Sequence, residues 1–82
     1  MFKFFKKERE KTIEEIAQLM SKKANCEILP KDIRRHIDRP TTALYSATVY
    51  DDPKDMLSGA RNVSCLVRRR NKFEYVVTVE RI

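Results

Sequence analysis

The sequence predicts an α+β fold in which two N-terminal helices pack on one face of an antiparallel sheet of three or more strands, in the order ααβββ. Three observations lead to this prediction. Apolar residues recur at helical spacing between positions 13 and 20, and a proline followed by two isoleucines marks a second short helix within 30–37. Apolar residues then alternate in 41–50 and 63–79, which is typical of strands with one buried face.

Length and composition favour a single α+β domain spanning residues 1–82. The chain has 82 residues, of which 41% are hydrophobic, with one Gly and three Pro. At this size roughly 60–65% of the surface of the unfolded chain can be buried, so the core is small and a homodimer would add to it. Residues 1–11 are expected to form a loose N-terminal segment.

The first eleven residues, MFKFFKKEREK, interleave Phe2, Phe4 and Phe5 with lysines. Such a pattern can insert into an anionic membrane surface, so peripheral membrane association through residues 2–7 is one alternative. The other is a short first turn whose phenylalanines cover the core. We favour the second, because amphipathic membrane anchors are longer than this, and we do not expect a membrane partner.

The first helix is predicted to begin at a capping box formed by Thr12 and Glu15, in which each side chain accepts a backbone N–H of the other residue. Acidic residues come early in this segment and Lys22 and Lys23 come late, as the helix dipole favours. The face that covers the core carries Ile13, Ile16, Ala17 and Met20. The helix is expected to end near Lys23.

A second, brief helix is predicted to start at Pro30, because the first helical position needs no backbone N–H. Ile33 and Ile37, four residues apart, would form its buried edge, and Pro40 would stop it. Its outer face would carry Lys31, Arg34, Arg35 and Arg39, opposed by Asp32 and Asp38.

The segment 41–50, TTALYSATVY, has the composition of a strand. We expect Tyr45 and Tyr50 to pack against the protein, with stacking on a base as the alternative. The acidic stretch 51–55 is expected to be a turn, since it lacks the ligand spacing of a calcium loop. Residues 56–60 are expected to make one irregular turn with Gly59 at positive φ.

Residues 63–82 predict a β-hairpin with positive charge at its tip. Alternation of apolar residues is interrupted at 69–72 and resumes at Phe73, and no acid occurs between Asp55 and Glu74. The basic block that results consists of Arg61, Arg68, Arg69, Arg70 and Lys72.

The sequence offers no pattern for catalysis, a metal or a cofactor. Cys26 and Cys65 form no CxxC, and His36, the one histidine, has no second ligand at metal-binding spacing. No serine or cysteine motif is tied to a base, and there is no Gly-rich phosphate loop, so we expect a non-enzymatic protein. The cysteines are read as buried, reduced thiols of a cytoplasmic protein, and no apolar run reaches the length of a membrane span.

The charge predicts a polyanionic partner. The formal net charge is +6 and the pI is near 9.6. Arginine binds phosphates through its planar fork and stacks on unpaired bases, while motifs for reading duplex DNA are missing, so RNA or single strands are favoured over duplex DNA. The predicted nucleic-acid-binding residues are Arg61, Arg68, Arg69, Arg70, Lys72, Arg34, Arg35 and Arg39. Charge reversal of Arg69 and Arg70 is expected to keep the fold and weaken RNA binding about tenfold or more.

The order of several short motifs resembles the phage uracil-DNA glycosylase inhibitor family over residues 29–82. The matching pieces are Leu29-Pro30, Ile33, Ile37, Pro40, Thr48, Tyr50-Asp51 and Leu66-Val67. The resemblance implies two helices leading into an antiparallel sheet. That family is acidic and mimics DNA through a strand just before the Leu-Pro, whereas the corresponding stretch here is Lys23, Ala24, Asn25 and Cys26. The resemblance therefore implies a shared scaffold with a changed partner.

Size, charge and this resemblance together suggest an antitoxin-like phage or mobile-element accessory factor that inhibits a host nuclease, toxin or repair enzyme while holding nucleic acid. The alternative is an inhibitor or adaptor that docks directly on a host enzyme without nucleic acid.

Overall fold

A computed structural model of the protein describes residues 9–52 and 54–82. One helix, α1 (Ile13–Ala24), is followed by a short 3-10 turn (Pro30–Asp32). Four strands come next: β1 (Arg34–Arg39), β2 (Thr42–Asp52), β3 (Asp55–Arg69) and β4 (Phe73–Arg81). The strands form one antiparallel sheet in the order β1-β2-β3-β4. We call the side of the sheet that α1 covers the helix face and the other side the open face.

The first helix begins and ends as its sequence predicts. The Thr12 side chain accepts the backbone N–H of Glu15, and the Glu15 carboxylate accepts the backbone N–H of Thr12, so the capping box is confirmed. Asn25 closes the other end in the left-handed conformation, with φ 56°, and its N–H donates to the Ser21 carbonyl. The residues that α1 buries are Ile16, Ala17, Met20 and Ala24.

The prediction of a second helix, and with it the order ααβββ, is wrong. Pro30 starts only the three-residue 3-10 turn, and residues 34–39 form strand β1, which pairs with β2 from Thr42 to Ser46. The ladder to β2 outweighs the weak helical preference of so short a segment. A bulge at His36 adds one residue to β1, so Ile33 packs against the core while Ile37 lies on the open face opposite Leu44.

The core lies between α1 and the helix face of the central strands. Its buried strand residues are Ala43, Tyr45, Ala47, Val63, Cys65 and Val67. Tyr75, Val77 and Val79 of the outer strand β4 pack against this cluster and are partly buried. The packing predicted for Tyr45 is confirmed.

Asp52 at the end of β2 pairs with Asp55 at the start of β3, so the chain reverses within the acidic stretch 51–55, where a turn was predicted. The Asp52 carboxylate accepts the backbone N–H of Lys54 at 2.9 Å, which favours the tight turn. The turn expected at 56–60 is instead the start of β3. Gly59 has the predicted positive φ, 130°, and a Cβ there would lie 2.7 Å from the Asp51 carboxylate.

The N-terminal segment is described from Arg9 onwards. The predictions for Phe2, Phe4 and Phe5, and for membrane association through residues 2–7, lie outside the described residues. The backbone N–H of Lys11 donates to the Tyr75 hydroxyl at 2.7 Å. Within the described chain, α1 is the longest helix, and it is too short and too polar to cross a membrane.

Candidate nucleic-acid interface

The open face carries three rows of side chains that cross the sheet, because residues directly opposite each other in antiparallel strands share a face. The central row is apolar and consists of Ile37, Leu44, Leu66 and Val76. On one side of it lies a mainly hydroxyl row of Arg34, Ser46, Ser64 and Thr78. On the other side lies a charged row of Arg39, Thr42, Arg68 and Glu74. Apolar, hydroxyl and cationic groups are therefore available on one surface.

Five of the predicted binding residues have no carboxylate within 4.0 Å in the described part of the chain. These uncompensated cations are Arg34, Arg39, Arg68, Arg70 and Lys72. Arg68, Arg70 and Lys72 line a concavity at the end of the β3–β4 hairpin together with Glu74, and Arg39 lies two strands away in the same row as Arg68. Strands lie about 4.8 Å apart, so these cations border a patch about 10 Å wide across the strands.

Arg69 points to the helix face and is neutralised there. Its guanidinium binds the Glu10 carboxylate on one side and the Asp38 carboxylate on the other, at 3.0 Å from Nη2 and 2.8 Å from Nη1. The hydrogen bonds that Arg69 donates to Glu10 and Asp38 raise the pKa of Arg69, and the one donated to Asp38 lowers the pKa of that carboxyl group. Arg69 therefore joins the N-terminal segment, β1 and β3, with little charge left for a ligand.

Arg61 and Arg35, two further predicted binding residues, also lie on the helix face. Arg61 donates from Nη1 to the Ala24 carbonyl at 3.0 Å, and its Nε forms a 3.4 Å ion pair with Asp51 that lacks hydrogen-bond geometry. Arg61 thus ties the C-terminal end of α1 to the sheet. Arg35 pairs with Asp38 at 3.3 Å. The basic block of the sequence is accordingly divided between two faces.

A polar groove lies at the opposite end of the open face, where β1 begins beside β2. We call it the Tyr50 groove, and its lining residues are Asp32, Arg34, His36, Ser46, Ala47, Thr48, Tyr50 and Asn62. The His36 Nε2 contacts the Ser46 hydroxyl. Tyr50 is 39% exposed, in contrast to Tyr45, so the packing predicted for Tyr50 is only partial.

Sequence reasoning missed the groove as a site. Alternation along β2 does place Ser46, Thr48 and Tyr50 on one face, and that signal was readable. Nothing in the sequence brings Asp32 and Asn62 to the same place, because that depends on where β1 begins and on the register of β3.

No metal centre forms in residues 9–52 and 54–82, where no three His, Cys, Asp or Glu side chains gather closely enough to hold an ion. Both cysteines are free thiols. Cys65 is fully buried, and burial raises the pKa of its thiol to about 11.

Comparison with known proteins gives no relative: no family model matches the chain, and no curated protein or solved structure matches it either.

Proposed function

We propose that the protein is non-enzymatic and binds RNA or another single-stranded nucleic acid across the open face of its sheet. The observation that carries this proposal is that cations paired with carboxylates and cations without such a partner lie on different sides of the molecule. The arginines of the helix face are paired with carboxylates, whereas Arg34, Arg39, Arg68, Arg70 and Lys72 have none within 4.0 Å among the described residues. On the open face and the hairpin end these five cations accompany three carboxylates: Glu74, Glu80 and, in the Tyr50 groove, Asp32.

A single strand suits this surface better than a duplex does. Phosphates can meet the arginines at the hairpin end, and unpaired bases can contact the apolar row and the exposed ring of Tyr50. The face of a four-stranded sheet is wider than the α-helix or two-stranded β-ribbon that the major groove of DNA admits. Neutralising about four or five phosphates of a single strand gives a slope of about −3 to −3.5 for log K against log salt concentration.

The biological setting is part of the same proposal. We propose a cytoplasmic, antitoxin-like phage or mobile-element accessory factor that inhibits a host nuclease, toxin or repair enzyme while holding nucleic acid. The resemblance of residues 29–82 to the glycosylase inhibitor family supports an inhibitor, and the net charge of +6 supports a partner other than the DNA groove of a glycosylase.

The test compares two variants with equal changes of charge on opposite sides of the molecule. Arg68→Glu with Arg70→Glu alters the hairpin end, and Lys22→Glu with Lys23→Glu alters exposed positions of α1; either pair changes the net charge from +6 to +2. We expect the first variant to weaken binding of a 20-nucleotide RNA by about 30-fold or more at 0.15 M salt, because two direct phosphate contacts are lost. The second should weaken binding by about threefold or less, since screened charges act weakly at a distance.

Binding is measured by fluorescence anisotropy over a range of salt concentrations, and circular dichroism checks that each variant is folded. Equal losses in both variants would show that only net charge matters and would remove the open face from the proposal. No saturable binding by the unaltered protein would refute nucleic-acid binding altogether.

A second candidate is an inhibitor or adaptor that docks directly on a host enzyme without nucleic acid. The observation in its favour is the apolar row on the open face, whose member on edge strand β4, Val76, is 45% exposed. Val76→Lys would then abolish a complex that survives nuclease treatment and 1 M salt, whereas an RNA complex would tolerate this change and dissociate at that salt concentration.

A further inference from the structure

At the basic end of the sheet, which carries Arg39 and Arg68, β1 lies beside β2. The Tyr50 groove lies at the other end, where β2 extends beyond β1. β1 pairs with β2 only from Thr42 to Ser46, while β2 continues to Asp52. Within the described chain, no strand covers this edge of β2 beyond Ser46. Every second residue there directs its backbone N–H and C=O toward the groove, which supplies donors and acceptors of fixed position.

The groove contains an aromatic ring that its neighbours cover only in part. Tyr50 is 39% exposed on the open face, and the residue directly opposite it on β3 is Ala60, whose methyl group is too small to cover a phenol ring. Asn62 is the diagonal neighbour of Tyr50, about 7–8 Å away, which is within reach of a group lying on the ring. An exposed ring beside an amide is a surface on which a planar ligand can stack.

The same groove, which Arg34 also lines, holds a carboxylate that forms no ion pair in the described part of the chain. Asp32 ends the 3-10 turn that precedes β1, and no Lys, Arg or His nitrogen of the described residues lies within 4.0 Å of its carboxylate. Glu27 lines the adjoining hollow, which Asp32 and Tyr50 share. Two carboxylates repel a phosphate, whereas the amino group of a base donates hydrogen bonds that a carboxylate accepts.

From this arrangement we infer that the Tyr50 groove is a base-specific subsite: an unpaired base stacks on Tyr50, and its exocyclic amino group donates to the Asp32 carboxylate. The inference rests on the proposed function, since the phosphates of the same strand lie on the uncompensated cations. It implies a preference for cytosine over uracil, because these two bases have the same size and cytosine carries N4–H₂ where uracil carries the O4 acceptor.

The distance between the Tyr50 groove and the basic end determines how long an RNA must be to contact both. Tyr50 and Thr42, which lies beside Arg68 in the charged row, are eight residues apart on β2, or about 26 Å at 3.3 Å per residue. A stacked strand advances about 3.4 Å per nucleotide, so about eight nucleotides span both ends. Ten-nucleotide RNAs are therefore long enough to occupy the groove and the basic end together.

The test measures the dissociation constants of ten-nucleotide oligocytidine and oligouridine for the full chain and four variants. We expect the unaltered protein to bind oligocytidine about five- to tenfold more tightly than oligouridine. Asp32→Ala removes the hydrogen-bond acceptor and one negative charge. The affinity for oligouridine should therefore stay equal or rise, while the ratio of the oligocytidine affinity to the oligouridine affinity falls to about one. Tyr50→Ala should weaken binding of both RNAs by about five- to fiftyfold, and Tyr50→Phe should retain most of the affinity.

The matched control is Glu74→Ala, which removes a carboxylate from the open face at the other end of the sheet. This change should alter both affinities by the same factor and keep the ratio. The inference is overturned if the unaltered protein binds both RNAs equally, if Asp32→Ala keeps the ratio, or if Tyr50→Ala binds as well as the unaltered protein. Failure of both RNAs to bind the unaltered protein would refute the proposed function, so the two failures are distinguishable.

Discussion

Adjacent arginines in this chain have different roles because successive side chains of a strand lie on opposite faces of the sheet. Arg68 lies on the open face opposite Thr42 and Glu74, and Arg69 lies on the helix face between Glu10 and Asp38. The Arg69 side chain is only 18% exposed. Replacing it with glutamate would bring a third carboxylate beside two others, so the combined charge reversal of Arg69 and Arg70 is a test of folding as well as of binding.

Arg69→Ala is expected to lower the free energy of unfolding by about 1–2 kcal/mol, because it removes charged hydrogen bonds between three parts of the chain and leaves two carboxylates facing each other. Arg70→Ala, in the exposed turn next to it, should change stability by less than about 0.5 kcal/mol. Urea unfolding followed by circular dichroism measures both values. For RNA affinity we expect the larger loss in Arg70→Ala. Equal stability of the two variants would contradict the structural role of Arg69.

At the scale of the element, α1 is stabilised at its N-terminal end by contacts of Glu15. The Glu15 carboxylate binds Arg9 at 2.6 Å and accepts the backbone N–H of Thr12 at 3.1 Å. The hydrogen bond from Arg9 and then that from Thr12 lower the pKa of Glu15 from 4.5 to about 2. Because the folded protein holds this carboxylate ionised, its contribution to stability is complete above about pH 4.5 and disappears as the pH falls to 2.

Glu15→Gln is therefore expected to flatten the loss of thermal stability between pH 5 and pH 2. Glutamine keeps part of the capping box and cannot be protonated in this range. Thermal unfolding followed by circular dichroism at several pH values measures the effect. Glu14→Gln removes the same charge one residue earlier, and because Glu14 makes no ion pair among the described residues, this variant should keep the original slope. Identical slopes for all three proteins would exclude the Glu15 contacts as a source of acid sensitivity.

At the scale of the whole molecule, only one face of the sheet is covered within the described chain. Helix α1 closes one face of the sheet and buries a core that includes Cys65, while the described chain leaves the other face uncovered. Cys65 is 0% exposed, and Cys26 is half-buried at the end of α1. Since only the thiolate reacts readily, the raised pKa and the burial of Cys65 make its reactivity a probe of global opening.

In native protein at pH 8 we expect a thiol reagent such as DTNB to modify one cysteine, Cys26, quickly and Cys65 slowly. In Cys26→Ser the remaining reaction should accelerate with urea in proportion to the unfolded fraction, because opening of the core exposes Cys65. Rapid modification of both thiols without denaturant would mean that the helix does not cover the sheet stably.

The amino-acid sequence by itself determined the α+β class, the capped helix, the strand character of 41–50 and 63–79, and the positive φ of Gly59, because these follow from local periodicity and backbone sterics. The sequence did not predict that residues 34–39 form a strand, because pairing with β2 and the bulge at His36 outweigh the helical spacing of two isoleucines. Only the tertiary structure decided which cations are neutralised: Glu10 is 59 residues from Arg69 and Asp38 is 31. Ion pairing depends on distance in space, which sheet register and the docking of α1 establish.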